Sequence, residues 1–86
     1  MFTTREKFIN ISITAAIIGS LLNIALASMS LPLATDDEIS PPNGAANLPI
    51  KSQLIHMLVH HNQVLLTSSA IVFALVFLST NLALSL

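Results

Sequence analysis

Apolar and polar positions divide this chain into two long uncharged stretches with a short charged one between them. Phe8–Thr35 and Ser52–Leu86 contain no Asp, Glu, Lys or Arg, whereas Asp36, Asp37, Glu38 and Lys51 lie between. A helix needs about 20 predominantly apolar residues to span the hydrocarbon core of a bilayer, and both stretches exceed that. The pattern predicts an all-α membrane protein, a two-helix transmembrane hairpin with an extended polar linker.

The first helix is expected over about residues 8–29, ended by Pro32, which lacks the N–H that a helix needs. The linker, about 30–51, carries Ser40-Pro41-Pro42-Asn43-Gly44 and Pro49, which favour an extended path with a turn at Asn-Gly. Thr35-x-x-Glu38 fits the capping-box pattern and predicts one helical turn there. Ser52 is the expected N-cap of the second helix. The 35 residues from Ser52 to Leu86 would form about 50 Å of helix at about 1.5 Å each, more than the core of about 30 Å. Ser52, His56, His60, Gln63 and Thr67 recur at helical spacing on one face. Leu54, Ile55, Leu58 and Leu65 lie away from it. Residues 52–62 therefore read as an amphipathic lead at the membrane surface and 63–86 as the span, either continuous with it or kinked.

The first stretch also matches the anatomy of a secretory signal peptide. Arg5 and Lys7 form a basic start, Ile9–Ala27 is apolar, and Ala25-Leu26-Ala27 before Ser28 has the small residues of a cleavage site. The apolar run exceeds the about 15 residues usual for such a signal, so a retained helix is expected.

Composition agrees with a lipid environment. Only 8% of residues are charged, against about 25% in soluble proteins, and mean hydropathy is +0.82. Cysteine is absent, which removes disulfides and thiolate chemistry. Net charge is −1 without a basic patch, so nucleic acid is not an expected partner. Trp and Tyr are also absent, leaving only Phe2 and Phe8 near the first interface, where aromatic residues usually gather. Arg5 and Lys7 against the single Lys51 orient both termini inward and the linker outward by the positive-inside rule.

Helix association in lipid relies on close packing and polar side chains. The first helix offers Ser12, Ala15, Ala16, Gly19, Ser20, Asn23 and Ala27 on one stripe. Its packing positions are expected at Ala15, Gly19 and Asn23. Those of the second helix are expected at Thr67, Ser68, Ala70, Ala74 and Asn81, beside Phe73 and Phe77. An antiparallel hairpin sets Asn23 level with 67–69 and Asn81 level with Ser12. A hydrogen bond from Asn23 to a hydroxyl at 67–69 is expected.

His56, His60 and His61 are the one chemically pointed cluster. His56 and His60 are spaced to share a metal, yet no Cys or carboxylate stands near to complete a site. A polar interfacial face is the plainer reading, and cofactor binding by the three is the sharper one. Asp36, Asp37 and Glu38 read as a solvated charge run. Asn10-Ile11-Ser12 matches a glycosylation triplet but sits at the start of a membrane helix. No catalytic set can be assembled, and no soluble substrate is evident. Ion conduction is disfavoured, because such pathways usually place an ionisable residue within a span. A non-enzymatic accessory subunit of a larger membrane complex is expected, with a small regulator of a transporter or enzyme as the alternative.

Leu22-Asn23-Ile24-Ala25-Leu26-Ala27, Leu48-Pro49-Ile50 and Leu65-Leu66-Thr67-Ser68-Ser69 resemble, in order and spacing, the photosystem I subunit K family of two-helix peripheral subunits. That family carries a Phe-Gly-His motif where Ser69-Ala70-Ile71 stands here, and a basic loop where this one is acidic. The resemblance implies a thylakoid setting, with a bacterial inner membrane as the other possible location, and chlorophyll or carotenoid contacts. No ligand residue of the family matches a position of this chain.

Overall fold

A computed structural model describes residues 3–86; Phe2 lies outside the described residues. Helix α1 spans Thr4–Leu33, α2 Asp36–Ile39, α3 Ile50–Gln63 and α4 Leu65–Ser85, with a 3-10 turn at Ala45–Asn47. The chain folds back on itself, so α1 packs along α4 and, nearer the linker, along α3. The result is a rod of 54 × 22 × 17 Å. Both α1 and α4 are long and apolar enough to cross a membrane.

Helix α1 extends beyond the expected bounds at both ends. Thr3 caps its start by accepting from the Glu6 N–H. Pro32 stands one residue before its end, close to the expected stop; proline removes its own N–H bond and crowds the carbonyl four residues back. The Ala34 N–H still donates to the Ser30 carbonyl at 2.9 Å, and the helix closes at Leu33.

In the linker, Thr35 and Glu38 form the expected capping box around α2. Gly44, at φ 88°, makes the turn beyond it, a left-handed conformation that glycine adopts without steric cost. Helix α3 begins at Ile50 rather than at a Ser52 cap. Its first turn is held instead by Gln53, whose Nε2 donates to the Leu48 carbonyl at 2.9 Å.

The long second stretch is broken at Val64 (φ −127°, ψ 54°), which ends α3 and begins α4. The break contains neither Pro nor Gly. The Ser68 hydroxyl inserts into it, donating to the His61 carbonyl at 2.9 Å. A side chain entering the backbone ladder is one of the few recognised causes of a sharp helix bend. Breaking the helix frees carbonyls, and Ser68 satisfies one of them.

Polarity across this rod is inverted. Among the described residues the buried apolar ones are Ala16, Ala27 and Val59, while Ser12, Asn23, Ser30, Glu38, His56 and Ser68 are also buried. Large side chains such as Leu21, Leu22, Leu66, Leu75 and Leu82 are exposed. The seam between the helices is built mostly from small and polar residues with Val59, Val72 and Val76, and the outer surface of the long helices is largely aliphatic.

Candidate functional site

The polar groups converge where α1 passes the α3–α4 break. Helix periodicity aligns Ser12, Ala16, Asn23, Ala27 and Ser30 along α1, and all five are buried. Ala15 and Gly19 lie half-buried on the same stripe. Gly19 lies close against α4: a Cβ there would stand 3.2 Å from Val76 Cγ2 and 3.6 Å from Val72 Cγ1.

Asn23 is the hub. Its Nδ2 donates to Ser68 Oγ at 3.1 Å and to Ser69 Oγ at 3.2 Å. Ser20 Oγ adds bonds to the Ala16 and Ser69 carbonyls. The Ser68 hydroxyl proton is directed at the carbonyls of His61 and Leu65, so its oxygen can only accept from Asn23. That sets the amide orientation, with Oδ1 turned to His61 Nδ1 at 2.6 Å. A carbonyl oxygen accepts, so Nδ1 carries a proton, and the Nδ1–H tautomer has its lone pair on Nε2.

On α4 Ser68 faces inward as expected and the expected bond from Asn23 to a hydroxyl at 67–69 is formed, but the rest of the inward face differs. Ser68 is buried and Ser69, Val72 and Val76 are half-buried, whereas Thr67, Ala70 and Ala74 are exposed. Ala70 and Ala74 are each two positions beyond a residue of the inward row, about 200° around a helix of 3.6 residues per turn. They therefore face away from α1. Asn81 lines an open cleft with Thr4, Arg5 and Phe8 at the end of the rod rather than a closed seam. Phe73 and Phe77 stack with centroids 6.5 Å apart.

The three histidines serve three surroundings. His56 is buried and its Nδ1 lies 2.6 Å from the Glu38 carbonyl oxygen, fastening α3 to the linker. His60 is exposed, its ring edge-on to His56 at 4.5 Å. His61 faces Asn23. The predicted polar stripe of α3 is thus split, with His56 turned inward while Leu54 and Met57 are exposed. Among the described residues no three His, Cys, Asp or Glu are grouped to hold a metal. His60 and His61 do line a groove of about 280 Å³ whose walls include Val64, Ile71 and Leu75.

The acidic run is likewise divided. Asp36 and Asp37 are exposed, but Glu38 is 7% exposed rather than solvated. Hydrogen bonds from the Thr35 backbone and then from Ser52 hold its carboxyl below the ordinary value of 4.5, outweighing the upward push of burial. The sequence located this box but not the His56 bond to the same residue, because nothing local pairs positions 38 and 56.

No protein-family model, curated protein or solved structure matches this chain.

Proposed function

We propose that this chain is a membrane-embedded helical hairpin that serves as a non-enzymatic accessory subunit at the periphery of a larger membrane complex. The inverted polarity of the rod carries this reading. Soluble monomers rarely expose contiguous apolar patches beyond a few hundred Å², and here the large aliphatic residues of both long helices point outward. In lipid the same surface is solvated. The cohesive contacts then fall to small residues and interhelical hydrogen bonds, which is what the Gly19 and Asn23 seam supplies. By the positive-inside rule, Arg5 and Lys7 favour termini on the inner side and the acidic linker on the outer side.

A partner is favoured by the outward face of α4. Thr67, Ala70 and Ala74 recur at helical spacing and are not used by α1, which leaves room for the close approach of a neighbouring helix. Alkaline carbonate extraction of native membranes followed by crosslinking tests both parts. The chain should stay in the membrane pellet and crosslink through position 70 to a larger protein. Release into the supernatant overturns the membrane reading. Retention as an uncrosslinked, stable monomer overturns the accessory role.

A second reading, a pigment- or haem-binding subunit, is favoured by one observation: the His61 tautomer leaves Nε2 free in a ring that lines an apolar groove. The resemblance to photosystem I subunit K implies pigment contacts, chlorophyll or carotenoid, without assigning them to His61. Visible absorption of the co-purified complex, lost in His61→Ala, tests the second reading. A colourless complex removes it.

A further inference from the structure

The cleft at the open end of the hairpin sets polar and cationic groups beside the aliphatic surface of the long helices. It encloses about 540 Å³ between the start of α1 and the end of α4. Arg5, Thr4, Asn81 and Ser85 bring polar and cationic groups to it, and Phe8 and Phe77 line the same space. The Ser85 hydroxyl proton is committed to the Asn81 carbonyl at 2.7 Å, leaving the Arg5 guanidinium, the Thr4 hydroxyl and the Asn81 amide as donors. Arg5, Glu6 and Lys7 together carry a net +1 (two cations, one anion). Glu6 is in the same turn but does not line the cleft.

Resting on the membrane reading above, we propose that this cleft binds an anionic phospholipid of the inner leaflet, its phosphate against Arg5 and its acyl chain along Phe8 and Phe77. Three features support the site, and the last two favour a lipid over a soluble anion. Arginine presents a planar fork suited to phosphate oxygens. Basic pockets between membrane helices on the inner side bind anionic headgroups. The aromatic wall continues from the cationic rim toward the aliphatic surface, as a headgroup joined to a chain requires. This assigns a task to Asn81, the one amide side chain of α4, which lies away from Asn23 and its partners.

The test uses the full chain in phosphatidylcholine vesicles holding a trace of spin-labelled phosphatidylglycerol or spin-labelled phosphatidylcholine. The motionally restricted fraction should favour phosphatidylglycerol about fivefold, the effect of one basic residue beside an anionic headgroup. Arg5→Gln should abolish the preference and Asn81→Leu should weaken it. Lys7→Gln, outside the cleft, should leave most of it. Equal restriction of both lipids, or equal loss in Arg5→Gln and Lys7→Gln, overturns the proposal. Full displacement of the labelled lipid by inorganic phosphate also overturns it, since a free anion would then suffice. A chain that fails to float with the vesicles overturns the membrane reading as well, whereas one that floats without preference overturns only the lipid site.

Discussion

Asn23 of α1 and His61 of α3 meet through Oδ1 and Nδ1 at 2.6 Å, although 38 positions separate them in the chain. The same amide holds Ser68 and Ser69 of α4. One side chain therefore ties three helices together at the level of the break. An amide offers both an acceptor oxygen and a donor nitrogen, and Asn23 uses both.

Removing that hub should loosen the hairpin at the break. In a double-mutant cycle of Asn23→Ala with Ser68→Ala, the coupling should be about 0.6 kcal/mol, with about 1.7 as a ceiling for hydrogen bonds within membranes. Unfolding in mixed detergent micelles measures it. Zero coupling would mean that the Asn23–Ser68 bond is not formed in the folded chain.

The two faces of α4 should respond differently to bulk. Gly19→Leu must displace Val76, whose Cγ2 stands only 3.2 Å from where a Cβ at position 19 would lie, and should separate α1 from α4. Ala70→Leu adds its bulk to an exposed face and should leave the hairpin intact. Disulfide crosslinking between cysteines introduced at Ser20 and Ser69, residues already in contact across α1 and α4, reads the separation. Equal loss in both variants would place α1 against the other face.

His56 and His60 are neighbours with unequal roles. His56→Ala leaves the buried Glu38 carbonyl without its donor, which should cost about 1–3 kcal/mol. His60→Ala removes an exposed ring and should change stability by no more than about 0.5 kcal/mol. Thermal unfolding of the two variants side by side checks the difference, and an equal effect would refute the His56 fastening.

Acid should release the linker before the long helices. The Glu38 carboxyl is held below its ordinary value of 4.5 by hydrogen bonds that it accepts. A depressed folded-state value means that the stabilisation is complete above the unfolded value and is lost as pH falls through the folded one. Protection factors of the Asp36–Ile39 amides, corrected for the intrinsic exchange rate, should therefore fall below about pH 4.5, near which a free glutamate carboxyl is half protonated. Glu38→Gln should remove that dependence. An unchanged acid transition in the variant would assign it to another group.

The inward face of α1 was legible in the sequence because small and polar residues stand out at helical spacing among large aliphatic ones. The second helix was not, since it carries small residues on two faces. Ser68 and Ser69 mark one, and Thr67, Ala70 and Ala74 mark the other. Local spacing cannot choose between them. The choice goes with Val76, which a Cβ at position 19 would crowd at 3.2 Å, and with Val72 beside it.

By itself the sequence determined two uncharged helices, the charges confined to the linker and one end, and the Thr35–Glu38 box, all of which follow from composition or from contacts within four residues. Only the tertiary structure decided which face of α4 meets α1, that the second stretch breaks at Val64, and that the histidines are divided among separate partners. Those outcomes rest on groups from distant positions satisfying one another. Asn23 takes up the donors and acceptors of α3 and α4, and Glu38 offers His56 a carbonyl, where burial would otherwise leave these polar groups unpaired.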